Sequence, residues 1–264
     1  MAKAILTAKA NDTFITATAE EYIKLEEDTS LKSTVSNQYG ISGGWTDGKY
    51  LYRAFITSYD STNEDNNEVV IVKYDLTTGE IVKQSEKLPL NHANDITYNS
   101  KTNQLVVSHG VSTTVSLIDA DSLELEGTKT LPCLAGIMDY NPTYDCYALA
   151  RAQLHHLYIL DKDFNPIQKY EVDLYTHPQF HPKGTATGVS PQGNACDDKC
   201  IYYLFSSGTE QEYKHVITVF DWNGNYMTEI EFQLDGVEPE AISVVGNTIY
   251  VMRSKENTVY KISF

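Results

Sequence analysis

A pair of strand-like segments recurs along the sequence and constrains the fold more than any other feature. The first segment of each pair is apolar, and the second alternates apolar and polar residues up to an Asp. A tight turn and another strand follow each Asp, and a further strand precedes each apolar segment, so one unit contains four strands. Four-stranded units that repeat about every 40–45 residues are typical of β-propeller blades. The alternating segments end at Asp75, Asp119, Asp161 and Asp221, and a fifth ends at Ser263.

The five copies predict a five-bladed β-propeller, an all-β fold with four-stranded antiparallel blades. The last copy stops at Phe264 after its third strand, which leaves that blade without its outer strand. We expect the N-terminal strand, within 14–26, to close this last blade and so to join the two ends of the chain. The predicted organisation is an N-terminal segment, 1–39, that contributes the closing strand, and a single β-propeller domain, 40–264. A six-bladed propeller and a β-sandwich with irregular strands are the alternatives.

Composition and charge exclude several classes of protein. The 264 residues are enough for one large domain with a sizeable core, and no apolar run approaches the roughly 18 residues that span a membrane. The 36 acidic and 20 basic residues give a net charge of −16, which repels nucleic acids and anionic membranes. The N-terminus lacks the apolar stretch of a signal peptide. We expect an extracellular, cell-surface or virion location, with the cytoplasm as the alternative.

The candidate site is one mouth of the central channel, where loops enter the innermost strands. Small residues recur there, at Gly43, Gly44, Gly136 and Gly193, as crowding about a narrow axis requires. Carboxylate, amide and imidazole groups that converge near an axis can coordinate a hard cation such as Ca²⁺, or hydrogen-bond a sugar or phosphate ester beside a stacking Trp. Alternatively, these groups satisfy one another and a few channel waters. The predicted mouth residues are Trp45, His92, Asn94, Asp95, Gln192, Asn194, Glu238 and Glu240.

A second ring is predicted at the ends of the apolar strands. Aligning these strands places His109, Arg151 and Arg253 at the position that Phe55 and Phe205 occupy in the other copies. In a protein of this charge, such cations form a local positive patch that can bind an anionic ligand, such as a polymer phosphate. The preferred interpretation is that Arg151 and Arg253 pair with neighbouring acids.

The four cysteines do not by themselves define a site. Cys196 and Cys200 are close enough in sequence to form a hairpin disulfide or to contribute to a zinc site, but no second pair of ligands accompanies them. Together with Cys133 and Cys146, they are predicted to be reduced, mostly buried thiols.

Two long loops interrupt the repeat. The acidic loop 58–68 could hold Ca²⁺ through Asp60, Asn63 and Asp65, but it lacks EF-hand spacing, and a solvated loop is the preferred interpretation. Segment 174–190 is the other insertion, and insertions on one face of a propeller often shape its binding mouth. Its His177 and His181 are each followed by Pro, which favours a surface loop over a helical metal site.

Three stretches carry a resemblance to known propellers: Trp45–Tyr52, Asn91–Asn103 and Ile118–Leu123. They are similar to blades of β-propellers in Gram-positive bacterial surface proteins and in receptor-binding proteins of phages that infect such bacteria, although the chain has no recognisable coiled-coil stem. The resemblance implies binding of a cell-envelope glycan such as teichoic acid. The size also resembles that of the five-bladed glutaminyl cyclases, whose catalytic Glu motif we do not identify here.

Two functional hypotheses follow, with a structural or protein-binding scaffold as the third. The first is a ligand-binding propeller that recognises a carbohydrate or cell-envelope polymer at the channel mouth. We expect no nucleic-acid partner and no membrane insertion. No cofactor is required by the sequence, and Ca²⁺ is the one that it could hold. The alternative is a propeller-class enzyme, a hydrolase, lyase or cyclase, with Asp95 or Glu240 as general acid/base and His92 assisting. The sequence lacks the G-x-S-x-G, H-E-x-x-H, P-loop and G-x-G-x-x-G motifs.

Overall fold

Five β-sheets, each with four antiparallel strands, account for nearly all of the regular structure in the computed structural model. A 3₁₀ turn at Glu64–Asn66 is the main exception, and no helix in the described residues is both long and apolar enough to cross a bilayer. The all-β, four-stranded prediction is therefore confirmed. The structure describes residues 15–28, 31, 40–60, 62–110, 112–150, 156–172, 189–207, 214–234, 238–254 and 257–263.

Four of the blades take their four strands from consecutive stretches of the chain. Blade 1 contains β3 (Ile41–Thr46), β4 (Tyr50–Ser58), β5 (Glu68–Asp75) and β6 (Ile81–Gln84). Blade 2 contains β7 (Asp95–Asn99), β8 (Gln104–Ser108), β9 (Ser112–Asp119) and β10 (Leu125–Ala135). Blade 3 contains β11 (Ile137–Asn141), β12 (Cys146–Ala150), β13 (His156–Asp161) and β14 (Pro166–Glu171). Blade 4 contains β15 (Val189–Cys196), β16 (Cys200–Ser207), β17 (Lys214–Asp221) and β18 (Tyr226–Gln233).

The N-terminal segment completes the fifth blade. Blade 5 contains β19 (Pro239–Val245), β20 (Thr248–Arg253), β21 (Thr258–Ser263) and the N-terminal β2 (Thr18–Lys24). β2 pairs antiparallel with β21, from Thr18 opposite Ser263 to Lys24 opposite Thr258. The prediction that a strand within 14–26 closes the last blade is therefore confirmed. The sequence did not predict β1 (Ile15–Thr16), which pairs in parallel with β18 and adds a fifth strand to blade 4.

The five innermost strands surround a common axis. Each contacts the innermost strands of both neighbouring blades, in the closed order β3, β7, β11, β15, β19 and back to β3. Two stacked sheets would not produce this ring, and the ring leaves no place for a sixth blade. The five-bladed prediction is therefore confirmed.

The described apolar side chains form five cores, one between each pair of neighbouring blades. Successive residues of a strand point to opposite faces of its sheet, so each strand contributes to two cores. On β4, Leu51 packs toward blade 5 and Tyr52 packs toward blade 2. A single blade would expose both of its apolar faces, and the blades are therefore stable only as a ring.

The recurring Asp has a structural role at the turn that follows the third strand of each blade. The Asp75 carboxylate accepts backbone hydrogen bonds from Thr77 (2.7 Å) and Thr78 (3.3 Å), and these bonds lower its pKa. Such Asx turns fix a tight connection between strands. Asp119, Asp161 and Asp221 make the equivalent bonds. A second series, at the hairpin after the innermost strand, was not predicted; it comprises Asp47, Asn99, Asn141 and Asp197.

The four cysteines are free thiols, with Cys146 and Cys200 buried and Cys133 and Cys196 half-buried. Cys196 is the last residue of β15, and Cys200 is the first of β16. The two residues therefore flank the hairpin turn as the spacing predicts.

The polar groups of the acidic loop bond to one another. Asp60 Oδ1 accepts from the backbone amides of Thr62 (2.9 Å) and Asn63 (3.2 Å), and the Asn63 side chain accepts from the Asp65 amide at the start of the 3₁₀ turn. Within the described ranges, no three His, Cys, Asp or Glu side chains are grouped closely enough to hold a metal ion. His177, His181 and most of the insertion at 174–190 lie outside the described residues.

Candidate functional site

The innermost strand of each blade is a sheet edge, and on blades 1, 3 and 4 a side chain of the preceding blade accepts a hydrogen bond from a backbone amide of that strand. Thr97 Oγ1 accepts from Tyr140 N (2.9 Å), and the Asp139 carboxylate accepts from Cys196 N (2.8 Å). Between blades 5 and 1, the Ser243 hydroxyl accepts from Thr46 N (3.1 Å). Unpaired edge amides are costly to bury, so polar residues on these strands are needed to build the channel wall.

Asp95 belongs to this channel wall. Its side chain is fully buried, and Oδ1 accepts from its neighbour Ile96 N (3.0 Å). Oδ2 accepts from Met138 N (3.1 Å) and Asn194 N (3.4 Å), which lie on blades 3 and 4. Burial and the nearby Asp139 carboxylate raise the pKa of Asp95 well above its usual range. Both oxygens are thus engaged by backbone amides that join three blades.

Asn194 also lies in the wall rather than at the mouth. Its side-chain amide donates to the carbonyl of Ala148 on blade 3 (2.9 Å), and its Oδ1 has no partner among the described residues. It is almost completely buried. Of the predicted mouth residues, Asp95 and Asn194 therefore lie next to each other in the channel wall, inside the ring.

Close approach of the innermost strands explains the glycines there. A Cβ atom at Gly43 would lie 2.7 Å from the carbonyl oxygen of Ala93 and 2.7 Å from Cα of Asp95. One at Gly193 would lie 2.9 Å from the backbone nitrogen of Ile242. Only glycine leaves room for backbone contact at these distances.

Three predicted residues form a cluster between blades 4 and 5, which we call the mouth cluster: Gln192, Glu238 and Glu240. The Gln192 side-chain amide donates to Oε1 of Glu238. Glu240 is the extra residue of a bulge in β19, between the pairs Pro239–Arg253 and Ala241–Met252. Burial and the Glu238 carboxylate raise the pKa of Glu240 well above its usual range, and the positive charge of Arg53 opposes this shift.

Arg53, which the sequence analysis missed, stands beside the mouth cluster. Its side chain is fully buried on β4, and Nη2 donates to the carbonyl of Arg253 (2.6 Å). Nε and Nη1 have no hydrogen-bond partner among the described residues. Burial lowers the pKa of Arg53 to about 10. The alignment of apolar strands contained the signal, because the equivalent positions hold Val107, Leu149, Tyr203 and Val251.

Arg253 and His109, of the second predicted ring, each contact a hydroxyl group in the described part of the chain. Nη1 of Arg253 donates to the hydroxyl of Tyr260 (2.6 Å), and the guanidinium lies 5.2 Å from the centre of the same ring. Nε2 of His109 is 2.8 Å from the hydroxyl oxygen of Ser116. Arg151 lies outside the described residues.

His92 and Asn94 are located beside the acidic loop of blade 1. His92 Nδ1 is 3.7 Å from a Glu64 carboxylate oxygen, and its ring packs edge-on against Tyr59. Burial lowers the pKa of His92. Asn94 Oδ1 would be 3.2 Å from a Cβ added at Gly110. These residues form a second polar group, carried by blades 1 and 2.

Trp45 lies away from the predicted mouth. It is the penultimate residue of β3, toward the hairpin end of the strand, whereas mouth residues stand at strand entrances. Its ring packs between blades 1 and 2, with centroids 5.1 Å from Tyr98 and 6.4 Å from Tyr52. The structure therefore does not place Trp45 as a stacking surface beside the mouth cluster.

Solved structures share this architecture at low sequence identity, whereas no protein-family model and no curated protein matches the sequence. The glutaminyl cyclase of Myxococcus xanthus is 11% identical, with a TM-score of 0.60 over 94% of this chain and 97% of that one. A DUF4221 family member from Bacteroides vulgatus is 11% identical, with a TM-score of 0.50 over 96% and 97%. U3-55K is 8% identical, with a TM-score of 0.51 over 92% and 98%. At these identities the similarity concerns the fold alone, and the chain is a five-bladed β-propeller distantly similar to these proteins.

Proposed function

We propose that this propeller binds a carbohydrate or cell-envelope polymer at the channel mouth, through the mouth cluster. The observation that carries the proposal is the contrast between two acids of innermost strands, Asp95, which is fully buried, and Glu240, which is half-buried. Asp95 has both oxygens bonded to backbone amides, as a structural acid should. Glu240 is placed by a bulge beside Glu238, and its carboxyl group makes no hydrogen bond to the described part of the chain. Bulges commonly re-aim a side chain at a functional site.

The chemistry of the cluster suits a ligand with several hydroxyl groups. Carboxylates accept hydrogen bonds from hydroxyls, and a side-chain amide both donates and accepts. A site whose polar groups are partly buried discriminates against ligands that cannot satisfy them. A cell-envelope glycan is proposed as the source of such a ligand because the sequence predicts blades of the surface-protein and phage type.

A glycan array followed by calorimetric titration tests the proposal. We expect Glu238→Gln to weaken binding of the best glycan at least tenfold, because a hydrogen bond to a charged acceptor contributes about 1.5–3 kcal/mol. Glu80→Gln is the matched control, since Glu80 is exposed at the turn after β5. The absence of any bound glycan, or equal affinities in both variants, would contradict the proposal.

A second candidate function is catalysis with Glu240 as the general acid/base. Its favouring observation is the Glu238–Glu240 pair, in which burial and like charge raise the pKa of Glu240. Two neighbouring carboxyls with separated pKa values are a common acid/base arrangement. His92 contacts Glu64 and Tyr59 on the other polar group, so we assign it no part in this reaction. The structural similarity to a glutaminyl cyclase makes glutaminyl cyclisation the first reaction to assay.

Turnover would decide between binding and catalysis. If Glu240 donates a proton, Glu240→Gln abolishes turnover, and the wild-type rate falls as the pH rises through the pKa of Glu240. The same variant should retain its thermal unfolding temperature, because an amide replaces a carboxyl of equal size. If the wild-type protein turns over neither glutaminyl substrates nor glycosides, catalysis is contradicted and ligand binding remains as the proposed function.

A further inference from the structure

Arg53 is a buried cation that forms no ion pair with the described residues. Its side chain has no exposed surface. Within the described part of the chain, its guanidinium makes one hydrogen bond, to the Arg253 carbonyl. Nε and Nη1 point to no acceptor there, and no ion pair forms. Burying an unpaired charge costs several kcal/mol. A fold that needs only packing at this position has no reason to retain a guanidinium.

The surroundings of Arg53 show that packing alone would favour an apolar residue. The other four blades place Val107, Leu149, Tyr203 and Val251 at the equivalent position of the same strand. Arg53 therefore lowers stability at a position where the equivalent residues of the other four blades raise it. Such local conflicts mark functional sites more often than structural ones.

The guanidinium adjoins both the innermost strand and the mouth cluster. Nε lies 3.6 Å from the position that a Cβ atom of Gly44 would occupy. Glu240 is close enough to act electrostatically on Arg53 but is not within ion-pair distance. Arg53 on blade 1 and Glu240 on blade 5 thus place a cation near a carboxyl, and a ligand reaches the fully buried guanidinium only when neighbouring side chains move aside.

We propose that Arg53 binds the carboxylate of an acidic sugar held at the channel mouth, an inference that rests on the proposed carbohydrate-binding function. Nη2 carries two hydrogens and donates one to the Arg253 carbonyl. Its other hydrogen, together with the adjacent unpaired Nε or Nη1 donor, forms an edge that matches the two oxygens of a carboxylate. The sugar hydroxyls then donate to Glu238 and accept from Gln192. Binding supplies the anion that the folded protein lacks.

A carboxylate fits this place better than a phosphate does. A phosphate monoester is tetrahedral and carries more charge than a carboxylate at neutral pH, so the nearby Glu238 and Glu240 oppose it more strongly. A phosphodiester carries the same single charge as a carboxylate but lacks the planar shape that matches an edge of the guanidinium. The net charge of −16 does not prevent binding. At physiological salt the field of distant charges is screened within about 8 Å, and the buried guanidinium acts at contact distance.

The test compares acidic and neutral sugars on the wild-type protein and on Arg53→Met, which replaces the guanidinium with an apolar chain. The probes are oligosaccharides of glucuronic acid, the matching glucose oligosaccharides and glycerol phosphate, titrated by calorimetry at equal ionic strength. We expect wild type to prefer the acidic series at least tenfold and Arg53→Met to lose this preference. We also expect Arg53→Met to raise the unfolding temperature by about 3 °C, because an unpaired buried charge is removed.

The combination of greater stability and lost selectivity is the distinguishing result. Lys101→Met is the matched control, since it removes one positive charge from an exposed site that pairs with Asp145. An Arg53→Met protein that is less stable than wild type, or that retains the acidic preference, overturns the assignment. Preference for glycerol phosphate over glucuronate overturns the carboxylate. If no sugar of either series binds to wild type, the proposed function itself fails; equal binding of both series overturns this inference alone.

Discussion

Asp95 illustrates how a residue of catalytic type can serve the architecture instead. A carboxylate offers two oxygens to edge amides, and the ring geometry presents amides from three blades at one point. Sequence reasoning selected Asp95 because it is an acid at the entrance of an innermost strand. It had no means to detect Met138 and Asn194 as partners, since these lie 43 and 99 residues away in the chain.

Replacing Asp95 with Asn should destabilise the protein. The amide group of Asn would face a backbone N–H in place of an acceptor oxygen, and an unsatisfied buried donor costs about 1–3 kcal/mol. Urea denaturation at pH 7 should show a loss of about 2 kcal/mol for Asp95→Asn. Asp139→Asn should cost less, because Asn can accept from Cys196 N and donate to the Thr97 hydroxyl. Equal losses in the two variants would refute this account of Asp95.

At the scale of elements, β2 protects the edge of the last blade. Its pairing with β21 joins residues that are more than 200 positions apart and leaves no open strand beside Val259 and Ile262. Open edges with apolar neighbours promote association between chains. β1 adds a shorter parallel pairing to blade 4, so the N-terminal segment links two blades.

Truncation separates the contributions of these two strands. Deletion of residues 1–24 removes both strands, and we expect a loss of about 2–4 kcal/mol in the free energy of unfolding, with oligomers in size-exclusion chromatography. Deletion of residues 1–17 removes β1 and retains β2. It should cost about 1 kcal/mol and leave a monodisperse protein. If the two truncations lose the same free energy of unfolding and have the same oligomeric state, the pairing of β2 with β21 does not stabilise the ring.

The elements were more predictable than the site. The Asp that ends the third strand recurs in blades 1–4 because each of these blades needs the same Asx turn, and this repeat, with Ser263 in the fifth copy, revealed the blade count and the closing strand. β1 has two residues and therefore no periodicity to detect. Trp45 and Glu240 both lie on innermost strands and were both predicted as mouth residues. Trp45 packs between blades 1 and 2, whereas Glu240 lies in a bulge. Bulges and packing partners depend on the assembled ring.

At the scale of the whole molecule, buried acids make stability depend on pH. Burial raises the pKa of Asp139 to about 6 and also raises the pKa values of Asp95 and Glu240. An acid whose pKa is raised in the folded state contributes stability below its unfolded pKa, near 4. This contribution is lost as the pH rises through the folded value. The exposed Asx-turn acids act in the opposite direction, but solvent weakens their contribution.

Asp139→Asn tests the pH dependence directly, because it removes one of these acids and retains the shape of the side chain. Between pH 5 and pH 8 the folded wild type must ionise Asp139 against the cost of burial, whereas the variant has no charge to create. We therefore expect the free energy of unfolding of the variant, relative to wild type, to be about 1 kcal/mol larger at pH 8 than at pH 5. Urea denaturation at the two pH values measures this difference. A relative stability that does not change with pH would mean that Asp139 has the same pKa in the folded and the unfolded chain. Ionisation of this acid on an innermost strand would then not affect the stability of the ring.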